Sequence, residues 1–152
     1  MSFLIDTNVV SELRKGDRAD GGVRRWIAAV PDEELFLSVL VIGELRKGVE
    51  LFRRRDDQGA GVLDHWLRQV STEYGDRILP VTVDVAEVWG RLNVPDPLPV
   101  VDSLLAATAR VHGLTMVTRN TAHIGRTGVP VVNPFESSPP AEHPDQPAGE
   151  GR

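Results

Sequence analysis

The feature that most constrains the fold is a short apolar run near the start of the chain that ends in a carboxylate. Phe3, Leu4 and Ile5 lead directly into Asp6, and a segment with helical spacing follows. Such a run is typical of a buried strand in a sheet that helices cover on both faces. In open α/β sheets, ligands bind at the edge formed by the carboxyl ends of the strands. The simpler interpretation is that Asp6 or Thr7 only caps the helix, so the role of Asp6 depends on which side chains reach it.

Short apolar runs alternate with helical segments along the rest of the chain. This alternation predicts an α/β fold in which helices cover both faces of a short, mainly parallel central sheet. The glycine-containing stretches 16–22 and 58–61 are predicted to be a mobile loop and a helix break. Strands are predicted at 3–5, 35–39, 78–81, 114–118 and 129–134, and helices at about 8–15, 23–30, 39–55, 62–74, 84–92 and 102–112.

Composition bounds the class of protein. Residues 1–136 are predicted to form one domain, and the proline-rich residues 137–152 a disordered tail. The chain has no cysteine, which excludes disulfides and cysteine-based zinc sites. It shows neither a signal-peptide pattern nor an apolar run of about 18 residues, so we expect a soluble, cytoplasmic protein without a membrane segment. The net charge of −5 argues only weakly against a polyanionic partner.

Two further acids are expected to join Asp6. Glu44 comes three residues after Val41, on the apolar stripe of the third predicted helix, where a carboxylate seldom lacks a partner. Asp102 opens the last predicted helix, and Asn120 follows the strand after it. Strand carboxyl ends and the helix starts that follow them lie along one edge of the sheet. We therefore expect Asp6, Asp102 and Asn120 to meet there.

Converging carboxylates predict a metal site. Without a neighbouring lysine or arginine they would repel one another, and a divalent cation relieves that repulsion. Oxygen donors from Asp, Glu and Asn suit Mg²⁺ or Mn²⁺, whereas zinc would favour His and Cys. Such a site is suited to phosphodiester hydrolysis. Glu44 or Asp6 would then orient or deprotonate the attacking water, and Thr7 or Asn8 would bind a phosphate oxygen or hold the carboxylates in place. Each acid taken alone has a simpler structural role.

Four segments carry a family resemblance: 4–13 (LIDTNVVSEL), 38–48 (SVLVIGELRKG), 102–109 (DSLLAATA) and 117–121 (VTRNT). Their order and spacing resemble those of a PIN domain, in particular the VapC/FitB-like toxins of type II toxin–antitoxin systems. The resemblance covers about residues 3–135. It implies a PIN-like three-layer α/β/α fold and a Mg²⁺-dependent ribonuclease, with Mn²⁺ as the alternative ion.

The resemblance also assigns site residues. Asp6, Glu44 and Asp102 match the family's acidic, metal-binding positions. We predict that the neighbouring polar residues Thr7, Asn8, Thr118 and Asn120 support them. The fourth acidic position falls within residues 118–123, where this chain has no acid. Either Asn120 or His123 occupies it, and the number of metal ions, one or two, stays open.

The partners that the resemblance implies are an RNA substrate, a second copy of the chain and a cognate VapB-like antitoxin. The antitoxin's C-terminal segment would dock near the active site, in a dimer or a higher toxin–antitoxin assembly. By charge alone, a set of basic residues becomes a candidate contact for RNA or for an acidic antitoxin segment, although solvated surface is their simpler role. The set is Arg46, Lys47, Arg53, Arg54 and Arg55.

Two alternative functions remain. A non-catalytic PIN-like module with a degenerate metal site would bind RNA or protein without cleaving it, and the missing fourth acid favours that reading. A phosphatase with a nucleophilic aspartate at the end of strand 1 usually has a second aspartate two residues later and a nearby lysine. Here Asn8 stands at that position, and the only lysines are Lys15 and Lys47.

Overall fold

A computed structural model describes residues 1–136, so the tail predicted for 137–152 lies outside the described residues. A five-stranded sheet forms the middle layer, in the order β3-β2-β1-β4-β5, and all of its strands are parallel. Leu4 pairs with Phe36 on one side and with Met116 on the other. The strands are β1 (Phe3–Ile5), β2 (Leu35–Ser38), β3 (Ile78–Leu79), β4 (Thr115–Val117) and β5 (Val131–Val132).

Seven α-helices in the described part of the chain flank this sheet, which confirms the predicted three-layer α/β/α architecture. α3 packs on α4, and α5 packs on α6. None of these helices combines the length and apolarity needed to cross a bilayer. The helices are α1 (Thr7–Leu13), α2 (Gly21–Ala29), α3 (Val39–Arg53), α4 (Asp57–Tyr74), α5 (Val83–Leu92), α6 (Val100–His112) and α7 (Thr121–Gly125).

The core lies on both faces of the central strands. Every residue of β1 and of β4 is buried, as expected of strands covered by helices on both sides. The alanines of α6, including Ala106 and Ala107, are fully buried and let this helix approach the sheet closely. Gly113 ends α6 in the left-handed conformation at φ 66°, which confirms the predicted C-terminal cap.

The helix break predicted at 58–61 is wrong, because α4 already begins at Asp57. The Asp56 side chain accepts a hydrogen bond from the Gly59 backbone N–H at 2.9 Å and so starts the helix five residues earlier than glycine content suggests. Gly59 also packs tightly: a Cβ there would come within 2.7 Å of the Phe52 ring. The glycine is therefore required for close packing inside the helix rather than for a turn.

Two other local predictions need correction. The segment 16–22 is not a loop throughout: it holds a 3-10 turn at Gly16–Arg18, and α2 begins at Gly21, where the Asp20 carboxylate accepts from the Val23 N–H at 3.1 Å. The short helix α7 was not predicted, since five residues are too few to show a helical period.

Candidate metal centre

Asp6 lies at the junction of β1 and α1, at the carboxyl edge of the sheet. Its backbone N–H donates to the Val117 carbonyl at 2.9 Å, which extends the pairing of β1 with β4 by one residue. Its Oδ1 accepts from the Thr7 N–H at 2.7 Å, so Asp6, rather than Thr7, caps α1. The capping role predicted from sequence is real, and it leaves Oδ2 available for other partners.

The second carboxylate oxygen of Asp6 is held by the end of β4. The Thr118 hydroxyl, fully buried, donates to Asp6 Oδ2 at 2.7 Å. The same hydroxyl accepts from the Asn120 N–H at 3.0 Å. Asn8, which lies in α1 after β1, connects to the end of β4. Its Nδ2 lies 3.3 Å from Thr118 Oγ1, and its Oδ1 accepts from the Arg119 N–H at 3.2 Å. These contacts fix the orientation of the Asp6 carboxylate.

The environment of Asp6 is unfavourable for a lone negative charge. The residue is only 7% exposed, and this burial raises the pKa of its carboxyl above the ordinary value. The hydrogen bonds from Thr118 and Thr7 lower the pKa in part, whereas the charge of Asp102 raises it further. Asp6 and Asp102 are thus close enough to interact as like charges.

Glu44 reaches the site from α3, but it is not on the buried stripe as predicted. Val41 and Leu45 are buried, whereas Glu44, which lies at the border of their face, is exposed. Its Oε1 accepts from the Thr7 hydroxyl at 2.8 Å. Thr7 therefore connects Asp6, through its backbone N–H, with Glu44, through its side chain.

Asp102 is the third residue of α6 and is half-buried. The neighbouring Ser103 anchors this first turn: its buried hydroxyl donates to the Pro99 carbonyl at 2.8 Å and accepts from Trp89 Nε1 at 2.9 Å. Within residues 1–136 the Asp102 side chain makes no hydrogen bond or ion pair, and its negative charge contributes to the raised pKa of Asp6.

The three acids fit a hard divalent cation by the chemistry of their donors. All the donor atoms are carboxylate oxygens, and no ion pair between residues 1 and 136 involves Asp6, Glu44 or Asp102. Over the same residues, however, no group of three acidic or histidine side chains lies close enough together to hold a metal ion.

The fourth position holds two exposed candidates. Asn120 precedes the first residue of α7 but makes no capping bond with its side chain, and His123 lies within that helix. No side-chain hydrogen bond within the described chain joins either residue to Asp6, Glu44 or Asp102. Asn120 is tied to the site through its backbone, by way of Thr118.

Comparison with known proteins decides the family. The model of the family described as "PIN domain" matches residues 3–128. The chain belongs to the PIN domain family. Toxin FitB of Neisseria gonorrhoeae is 31% identical over 139 residues, covering 88% of this chain and 98% of FitB. VapC ribonuclease Y4jK of Sinorhizobium fredii is 31% identical over 143 residues, covering 88% of this chain and 98% of Y4jK.

A solved structure agrees with this PIN domain over nearly its whole described length. The crystal structure of FitAcB from Neisseria gonorrhoeae matches with a TM-score of 0.80 at 31% identity, covering 87% of this chain and 97% of that one. A structure of FitAB bound to the IR36 DNA fragment matches with a TM-score of 0.79 at 28% identity, covering 90% and 97%.

The basic residues singled out by charge divide into two groups in the PIN domain. Arg46 and Arg53 both bind Asp64 of α4, at 2.9 and 3.2 Å, and both also pair with Glu50. They belong to an ion-pair network that joins α3 to α4. By contrast, Lys47, Arg54 and Arg55 form no ion pair within residues 1–136, and Arg55 lies over the Phe52 ring at 5.6 Å.

A groove of about 290 Å³ opens beside the acids, between α1, α3 and α4. Thr7 and Glu44 form its end at the metal centre, and Arg14 and Arg55 add positive charge to its wall. Its apolar lining is Leu45, Val49, Leu51, Phe52, Leu63 and Trp66.

Sequence reasoning missed two residues of this centre. Ser103 supports Asp102, and Arg119 is bonded through its backbone to Asn8. Both stand directly beside a residue that was singled out, Asp102 and Thr118 respectively. Their position next to these residues was the available signal in the sequence, whereas their hydrogen-bond partners are seen only in the structure.

Proposed function

We propose that this PIN domain is a Mg²⁺-dependent endoribonuclease and the toxin of a type II toxin–antitoxin system. The observation that carries the proposal is a set of contacts at the carboxyl edge of the sheet: Thr7 bonds to both Asp6 and Glu44, and the charge of Asp102 acts on Asp6. None of these three acids forms an ion pair within residues 1–136. Family membership and the named relatives, a VapC ribonuclease and toxin FitB, support it. The site's oxygen donors suit Mg²⁺, and Mn²⁺ would serve as well.

The three acids would hold the metal in different ways. Asp6 is the rigid ligand, because Thr7, Thr118 and Asn8 leave its carboxylate little freedom. Asp102 supplies the second charge from the start of α6. A divalent ion bound there lowers the pKa of its water and neutralises charge that develops on the phosphate.

Glu44 is best suited to handle the proton of the attacking water. It is exposed, so solvent water can reach its carboxylate directly. The Thr7 hydroxyl orients it through Oε1, and the second oxygen stays available to the water. Asn120 or His123 would occupy the fourth position, on the other side of the metal, where the family has an acid.

The direct test is RNA cleavage by the purified protein with Mg²⁺ or Mn²⁺, with and without EDTA. Cleavage should require the metal, and Asp6→Asn or Asp102→Asn should reduce it by at least about 100-fold, because each removes a charge that the ion needs. Asp84→Asn is the matched control for Asp102→Asn, because Asp84 is likewise an acid in the first turn of a helix, α5. Undiminished cleavage by Asp6→Asn would refute the site assignment.

The partner is proposed to be a cognate VapB-like antitoxin, since several neighbours in fold are toxin–antitoxin complexes. The groove at Thr7 and Glu44 is where its C-terminal segment would block the acids. Expression in the cytoplasm should arrest growth, and co-expression of the adjacent antitoxin gene should relieve the arrest. Light scattering after gel filtration would test the proposed homodimer and any larger assembly.

The second candidate is an RNA- or protein-binding PIN module without catalysis. It is favoured by one observation, that Asn120 and its neighbours provide no fourth acid. This candidate predicts RNA binding that persists in EDTA, together with no cleavage at any Mg²⁺ or Mn²⁺ concentration.

A further inference from the structure

Arg119 is an arginine whose backbone contacts the residues around Asp6 and whose side chain has no role in the site described so far. It follows Thr118 at the end of β4, and its backbone N–H donates to Asn8 Oδ1 at 3.2 Å. Asn8 in turn touches both Thr118 and Asp6 with its Nδ2. The backbone of Arg119 is therefore fixed at the same edge as the Asp6 carboxylate.

The guanidinium of Arg119 stacks on an aromatic ring. Its central carbon lies 4.5 Å from the centroid of Phe135, and the residue is exposed. Stacking uses the face of the guanidinium and leaves its N–H edge for a planar, doubly hydrogen-bonded partner. Part of the entropy cost of binding such a partner is already met, because the ring restricts the side chain.

Arg119 forms no ion pair with any acid within residues 1–136. The nearby Asp20 carboxylate accepts instead from the backbone N–H groups of Val23 and Glu136, both at 3.1 Å. Arg46 and Arg53, by contrast, would have to give up Asp64 before binding another anion. Arg119 has no such ion pair to give up, because its interaction with Asp20 is one of charge at longer range.

We propose that Arg119 binds a backbone phosphate of the RNA next to the scissile bond. The inference rests on the proposed ribonuclease function, and it deepens that function by naming a substrate-binding residue. An anionic substrate at three carboxylates needs a compensating cation on the protein side. Arg119 is the arginine whose backbone the Asn8 contact fixes at the edge that carries Asp6, and its guanidinium forms no ion pair within residues 1–136, although its charge acts on the Asp20 carboxylate.

The test is binding of a short single-stranded RNA to Asp6→Asn protein over a series of salt concentrations. Arg119→Gln in that background should weaken binding about tenfold, and the slope of log K against log salt should fall by about 0.7, the value for one lost phosphate contact to a single strand. Arg119→Lys keeps the positive charge but loses the paired N–H donors of the planar guanidinium. Compared with Arg119→Gln, it should therefore restore the salt slope but only part of the RNA affinity. Arg110→Gln, an equal charge change at the C-terminal turn of α6, is the control and should leave both unchanged.

Kinetics separate this role from a structural one. In the active protein, Arg119→Gln should raise KM while melting temperature stays that of the wild type, and Phe135→Leu, which removes the ring, should raise KM by a smaller factor. Unchanged RNA affinity and salt slope in Arg119→Gln would overturn the inference even if the protein cleaves RNA. Absent cleavage by the wild type, together with weaker RNA binding by Arg119→Gln, would overturn the ribonuclease and leave the phosphate contact standing.

Discussion

At the scale of single residues, Asp6 combines two roles that sequence reasoning treats as alternatives. One carboxylate oxygen caps α1, and the other is oriented by Thr118. The two roles support each other, because a carboxylate fixed at a helix start keeps its charge at the edge of the sheet. Thr7 extends this arrangement to Glu44.

Thr118 offers a sharp test of that orientation. Thr118→Val keeps the shape of the side chain but removes the hydroxyl that donates to Asp6 Oδ2. Metal affinity should fall about tenfold, as is usual when a partner of a metal ligand is lost. Isothermal titration with Mn²⁺ would measure it, and Thr118→Ser, which keeps the hydroxyl, should retain most of the affinity. Equal affinity in the valine and serine variants would contradict the role of the hydroxyl.

Tyr74 allows a test of burial at one titrating group. It is the chain's single tyrosine, and burial raises the pKa of its phenol to about 12, from an ordinary value of 10.0. The unfolded chain releases this proton first, so the stability contribution is full below pH 10 and is lost as the pH rises toward 12. Near-ultraviolet absorbance of the phenolate would report the pKa directly. Tyr74→Phe should show a smaller loss of stability over that range, and a phenol that titrates at its ordinary value would contradict the burial.

At the scale of the elements, α3 and α4 form one unit. Arg46 and Arg53 on α3 share Asp64 on α4, and Asp56 caps α4 directly after the end of α3. The charge cluster that looks like a nucleic-acid contact in the sequence therefore serves in part to join two helices. A helical pair held in this way keeps Glu44 in place beside Thr7.

Two glycines of α4 should respond in opposite directions to the same substitution. Gly61→Ala meets nothing within 4 Å and should raise the free energy of unfolding by about 0.5–1 kcal/mol through helix propensity. Gly59→Ala should lower it, because the added Cβ would collide with an Asp56 carboxylate oxygen and lie 2.7 Å from the Phe52 ring. Urea unfolding measures both. Equal effects at the two positions would contradict the close packing of Gly59 against Asp56 and Phe52 at the start of α4.

At the scale of the whole molecule, the sheet order brings distant parts of the chain to one edge. β1 lies in the centre between β2 and β4, so the segments after these strands, which carry Asp6, Glu44 and Thr118, converge. Like charges at that edge cost the folded state stability until a cation compensates them.

Metal binding should therefore stabilise the entire fold. A divalent ion at about 100 times its dissociation constant should add about 2.7 kcal/mol to the free energy of unfolding, because it binds the folded state alone. Thermal unfolding with Mn²⁺ and with EDTA would measure this. Asp102→Asn should abolish the shift and, by relieving the repulsion on Asp6, melt no lower than the wild type in EDTA. A shift of wild-type size in that variant would mean that the ion binds elsewhere.

The sequence by itself determined the architecture and supplied the prediction that Asp6, Glu44 and Asp102 form the site. Apolar runs and helical spacing are local patterns, so they predicted the order of strands and helices, the buried β1 and β4, and the edge that Asp6 occupies. Motif spacing predicted the family that the comparison confirmed. Local patterns failed where a single contact outweighed propensity, as at Gly59 in α4.

Only the tertiary structure decided which side chains meet. The bond from Thr118 to Asp6 joins positions 112 residues apart, and the bond from Arg119 to Asn8 joins positions 111 apart. No local period carries such information, because partners of this kind are chosen by the packing of the sheet. The same holds for the exposure of Glu44 and for the engagement of Arg46 by Asp64. Only the folded chain decides which charged side chains are paired with one another and which stay available to a substrate.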